Sequence, residues 1–307
     1  MYFPYLRARQ FELIALRELV SDRAITNIVP ILEPVKDSTG NLDLANKVFQ
    51  SKEFKAYLIV NSTTGEASGD SSFFVDYISK LENSKFVPAF LFRDNLKFIE
   101  TIIETNEFND CMLVCREGFT SEEELKRACQ NPAITHIVLE QPNKYRSLDR
   151  FIKSLGKFYI RLDDVFEKQQ KNADFLTIQT HKFSEEHLFY KEENYQGFSD
   201  FTVLPSEFID GGSTPRAVVI HLTYKNNEDQ IWISHFTSES NDSIANVQGK
   251  FAEAADKALK FCDKLPLINS AIEELKLYFE ESKYPGLGVV KKISIKNHLL
   301  VVNGLLP

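Results

Sequence analysis

The sequence predicts an α/β protein of the (β/α)8, TIM-barrel-like class, with an added antiparallel hairpin and C-terminal helices. Three observations carry this. Short apolar runs recur about every 25 residues over the first two-thirds of the chain, separated by stretches with helical spacing. Most runs are apolar at successive positions and do not alternate, as strands covered on both faces require. Eight such runs precede residue 205, and 307 residues suffice for one elaborated barrel, since these domains run to roughly 250 residues.

The strand candidates are residues 2–6, 28–32, 56–60, 86–92, 112–115, 136–139, 157–161 and 198–204. Helices belong between them. Residues 11–20 place Phe11, Ala15, Leu16 and Leu19 on one face, and residues 72–81 do the same with Phe74, Ile78 and Leu81. Thr120 to Glu123, or Ser121 to Glu124, has capping-box spacing; Ser147 can cap the next helix, which stops at Gly156. Pro4, Pro30 and Pro88 fall inside candidate strands, where a missing N–H marks a bulge or a strand start.

The barrel core spans residues 1–205, with an insertion at about 165–197 that is too long and polar for one crossover helix. Residues 206–240 hold the hairpin, with β-rich arms at 216–224 and 230–236. Residues 241–307 supply two helices, 244–262 and 267–280, and a tail from Pro285 in which 289–290 and 299–302 read as edge strands. No low-complexity linker divides the chain, so 1–307 reads as one domain.

Composition excludes several classes. Hydrophobic residues make up 43% and charged residues 26%, a globular mix. Thirty-six Lys and Arg against 44 Asp and Glu give a net charge of −8, which disfavours extended nucleic-acid binding. No run reaches the roughly 18 apolar residues of a spanning helix, and the first residues lack a signal-peptide pattern, so no membrane contact is expected and the protein reads as cytoplasmic. The four cysteines lack metal-ligand spacing and read as reduced, buried thiols. There is no GxGxxG, GxxxxGK[ST], GxSxG or HExxH. Residues 208–213 hold two glycines and read as a turn, with an anion nest as the sharper alternative.

Barrel enzymes work where strands end, so residues just past each run are the site candidates. Glu33, Glu140 and Asp163 have the chemistry of an acid/base pair or of ligands to a divalent cation. Arg7, Arg9, Arg93 and Arg161, with Asn61 and Asp200, would hold an anionic ligand. His221 joins them from the hairpin, where it and His235 sit on opposite arms and can face each other. Alternating Arg and Glu around a lip could equally satisfy one another with no ligand. The residues leave both readings open.

The opening residues 2–16, YFPYLRARQFELIAL, and Ile28-Val29-Pro30-Ile31-Leu32-Glu33 resemble the phage beta-protein family. Gly197-Phe198-Ser199-Asp200-Phe201-Thr202 looks like that family's Gly-x-x-Asp-aromatic-Thr segment. The resemblance runs from the first strand to about the hairpin; the C-terminal 60 or so residues match nothing in it. It implies a role in phage-defence or mobile-element gene clusters and singles out Arg7, Arg9, Glu12, Glu33 and Asp200. Two functions follow. One is binding, and hydrolysis, of an anionic or nucleotide-like ligand at the barrel mouth. The other is a non-enzymatic immunity or scaffold subunit that meets a protein partner through exposed Phe183, Phe189, Tyr190 and Tyr195.

Overall fold

The computed structural model describes residues 1–62, 64–69, 72–209 and 216–307. An eight-stranded parallel sheet, nearly closed into a barrel, runs in the order β1 (Tyr5–Leu6), β2 (Ile31–Leu32), β3 (Ala56–Ile59), β4 (Phe86–Leu91), β5 (Cys111–Cys115), β6 (Ile134–Glu140), β7 (Phe158–Leu162) and β9 (Gly197–Ser199). A parallel bridge between Tyr2 and Phe198 joins its two edges. Phe3 N donates to Phe198 O at 2.9 Å and Tyr5 N to Asp200 O at 2.8 Å along this seam.

Helices α1 (Gln10–Ser21), α2 (Gly40–Lys52), α3 (Phe73–Ser79), α4 (Leu96–Thr105), α5 (Glu122–Gln130) and α6 (Arg146–Ser154) follow the first six strands. Ser121 caps α5 by accepting from Glu124 N at 3.2 Å, as the capping-box spacing predicts. The prolines shorten ladders without breaking the sheet. Pro4 and Pro30 serve as acceptors only, from Ile31 N and Tyr57 N, and pairing of β4 with β5 begins after Pro88, at Ala89.

The inner face of the barrel is itself a packed core. Phe3, Tyr5, Ile31, Tyr57, Ile59, Ala89, Met112, Val114, Val138, Ile160 and Phe201 fill it, while a second, larger core lies between strands and helices. Alternate residues of each strand belong to alternate cores, so parity decides which side chains reach the mouth. The four cysteines are buried, as read.

The insertion contains α7 (Phe175–Ile178), β8 (Thr180–Ser184) and α8 (Glu186–Phe189). β8 pairs antiparallel with β11 (Ile231–Thr237), which pairs with β10 (Val219–Lys225). The hairpin is therefore two strands of a three-stranded sheet. Helices α9 (Val247–Lys264), α10 (Ser270–Glu280) and α11 (Leu287–Leu305) cover it around Val218, Ile220, Leu222, Phe251 and Ile293.

Helix α11 corrects the reading of 289–290 and 299–302 as edge strands. These apolar positions, valines and leucines, lie on a helix buried on most of its circumference, wedged against α1 and β10. Burial on all sides removes the periodicity that identifies a helix. Two buried lysines, Lys292 and Lys296, pair there with Glu18 and Glu274 at 2.7–3.0 Å.

Candidate functional site

Parity sorts the predicted residues into three groups. Arg7, Glu33, Asn61, Arg116 and Glu140 continue the inward series of their strands, above Tyr5, Ile31, Ile59, Val114 and Val138. Glu33 is fully buried and ion-paired to Arg7; Oε2 accepts from the Tyr5 hydroxyl at 2.7 Å, and Oε1 from Thr64 at 2.8 Å and Ser62 at 3.3 Å. Arg7 also donates to the Ser206 carbonyl. Glu140, 5% exposed, accepts from Arg116 Nε and from Glu117 N, both at 3.2 Å. Both guanidiniums lie over the rings of Tyr5 and Phe201, Arg116 at 4.8 Å from the Phe201 centroid.

The mouth is thus plugged by a buried ion pair and a partly buried one above two aromatic rings. Burial drives the Tyr5 hydroxyl above its ordinary range, against the pull of Arg116 and Arg7. Asn61 is committed as well: its amide donates to Leu91 O and accepts from Leu91 N, both at 2.8 Å, and so ties the end of β3 to β4. Tyr5 and Arg116 are central to this plug; Arg116 is among the charged residues just past the strands, whereas Tyr5, inside its strand, is not. The signal was present, since counting by two from Met112 and Val114 lands on Arg116.

Arg161, Asp163 and Asp200 stand elsewhere. Arg161 pairs in register with Leu139 and Phe198 of the outer core, so it points away from the barrel axis. There it holds Asp163 at 2.6 Å, Glu193 at 2.9 Å and Glu186 at 3.4 Å. Burial raises the Asp163 carboxyl and lifts that of Glu186 to about 7. Asp200 is also outward: Oδ1 accepts from the Tyr2 hydroxyl at 2.5 Å and from Thr202 N at 2.7 Å, 3.5 Å from His298 of α11. Arg93 is exposed on the β4–α4 loop. The shared centre expected for Glu33, Arg93 and Arg161 is therefore not formed, because strand alternation and loop position send the two arginines out of the mouth.

The open space lies to one side. A cavity of about 850 Å³ separates the rims of β1 and β2 from the three-stranded sheet and the first turns of α11. Its apolar walls include Phe11, Leu42, Phe166, Phe175 and Val290; its cations are Arg9, Lys36, Lys168 and Lys291. Arg9 stacks on Phe208 at 4.9 Å, and Lys168 is paired with Glu207. Partial desolvation in the recess lowers the ammonium of the otherwise exposed Lys291 from its ordinary value, and the neighbouring Arg9 adds to this. Glu12 is the carboxylate of the lining; burial raises it, and its Oε2 accepts from Arg9 N at 3.3 Å. Of the predicted residues, Arg9 and His221 line this cavity; Glu33, Glu140 and Asp163 do not. The 210–213 turn lies outside the described residues.

His221 meets His235 as predicted, as its register partner, with the two Nδ1 atoms 2.7 Å apart. His181 completes a row at 3.1 Å from His235, a companion visible only once β8 is known to pair with β11. Among the described residues, no group of three or more His, Cys, Asp or Glu side chains has the geometry to hold a metal ion. No described helix is long and apolar enough to cross a membrane.

The aromatic patch expected of a docking subunit is not assembled. Phe183, Tyr190 and Tyr195 are at most 4% exposed, packed on His298, Phe198 and Tyr159; Phe189 alone of the four is exposed.

The fold and site define a (β/α)8 barrel with a mouth closed by ion pairs and a basic side cavity roofed by an added sheet and helix. Compared with known proteins, the chain matches no protein-family model, no curated protein and no solved structure.

Proposed function

We propose that the protein binds an anionic, nucleotide-like ligand in the side cavity. One observation carries this: four cationic side chains, Arg9, Lys36, Lys168 and Lys291, line one cavity of a chain whose net charge is −8. A recess lined by the minority charge focuses the field and concentrates anions. The walls suit a ligand with a flat apolar part, since Phe11, Phe166 and Phe175 offer ring faces and edges beside the cations. Glu33 and Glu140 are committed to Arg7 and Arg116, so no acid–base role is assigned to them.

The resemblance to the phage beta-protein family supports placing this binding in phage defence or in a mobile-element gene cluster. The test is calorimetric titration with adenosine monophosphate on the wild type and on Lys36→Ala/Lys291→Ala. Expected are binding that weakens with salt and a loss of at least about tenfold, ~1.4 kcal/mol, in the double variant. Absence of binding, or equal affinity in both proteins, overturns the reading. In a phage-plating assay, the same double variant should lose whatever protection the wild type confers.

A further inference from the structure

The histidine row has a fixed direction. His181 Nδ1 stands 3.0 Å from the Lys182 carbonyl and 3.6 Å from Glu167 Oε1, and both oxygens accept only. Nδ1 of His181 therefore carries that ring's proton. Its Nε2 lone pair accepts from His235 Nε2–H, so His235 Nδ1 in turn accepts from His221 Nδ1–H. A neutral imidazole has one N–H. His221 Nε2 is left bare, on a ring that lines the cavity.

We propose that this chain of three imidazoles makes His221 Nε2 the proton acceptor of the cavity and delivers the resulting positive charge to His181. It rests on the ligand reading above only for the donor, a hydroxyl of the anionic ligand or a water beside it. Nε2 of His221 bonds to that proton, and the donor oxygen keeps the electron pair near Lys291. The Nδ1 proton of His221 passes to His235 Nδ1, and the Nε2 proton of His235 passes to His181 Nε2. His221 and His235 end neutral, while His181 ends as an imidazolium with Glu167 as its counter-charge.

The surroundings favour that end point. Phe175 packs 4.8 Å from His221 and 4.5 Å from His235 between ring centroids, and Phe166 lies 5.3 Å from His221. Burial holds His221 well below its ordinary value, aided by His235 and by Lys291 of α11, and holds His235 at about 3, aided by His181. A charge is thus costly on the two inner rings.

The experiment is long-range 1H–15N NMR of the full chain with labelled histidine, without ligand, over about pH 5 to 8. The expected pattern is a bare Nε2 on His221, N–H at Nε2 on His235 and N–H at Nδ1 on His181. In His235→Phe, with its fold verified from the amide spectrum, His221 should lose its single-tautomer signature. An Nε2–H form of His221, or a proton on Nδ1 of His235 in place of its Nε2, overturns the relay. Because no ligand is present, failure of adenosine monophosphate to bind would remove the ligand reading and leave this result standing.

Discussion

Arg7 and Glu33 form an ion pair in which neither side chain is more than a tenth exposed, and this pair caps the packed interior of the barrel. Its energetic weight lies in what remains when one partner is lost. Arg7→Met leaves the Glu33 carboxylate buried with only three hydroxyl donors. A cost of about 3–5 kcal/mol is expected in urea unfolding, with much of it recovered in Arg7→Met/Glu33→Leu. An equal loss in the double variant would show that the pair matters through packing and not charge.

Asn61 acts on the backbone. Asn61→Ala removes both bonds to Leu91 and leaves its N–H and C=O without that partner, so unfolding free energy should fall by about 1–3 kcal/mol. Titration with adenosine monophosphate should give an unchanged affinity.

Glu186 makes stability depend on pH. Burial is the larger influence on its carboxyl and outweighs Arg161, so its folded value lies near 7 against an ordinary 4.5. Between these values the folded state holds the extra proton, and stability falls as pH rises through the window. Glu186→Gln should flatten that fall and exceed the wild type above pH 7 by about 1–3 kcal/mol. Denaturation curves on either side of the window check this; a parallel decline in the variant would count against it.

Gly288 sits in the first turn of α11 against Phe11. A Cβ there would lie 2.0 Å from the Phe11 ring. Gly288→Ala must push that ring, which lines the cavity, and should cost about 1–3 kcal/mol while weakening ligand binding. Thermal unfolding and calorimetry on one sample read both effects.

How far the sequence carries the fold follows from what each segment buries. The eight parallel strands announce themselves because both faces are apolar, so runs such as Met112 to Cys115 need no partner to be recognised. β8 does not: Thr180-His181-Lys182-Phe183-Ser184 is mostly polar, and becomes a strand only because β11 offers an edge. Helix α11 is masked for the opposite reason, being buried nearly all round. The candidate site shows the same division. Arg9 and Lys36 follow strands and were within reach, but Lys168 and Lys291 come from the insertion and from α11, which only the tertiary fold brings beside them. Arg161 and Asp200 face outward, since nearness to a strand end does not tell which face of the strand a side chain takes.

The seam that closes the barrel joins Tyr2 to Phe198, and α11 then clamps α1 through Glu18 and Asn303 to the turn at Thr26 and Asn27. A chain emerging from the ribosome must therefore keep its first strand unpaired on one edge until nearly two hundred further residues have appeared. Such late stitching makes folding slow and leaves the nascent edge open to wrong partners.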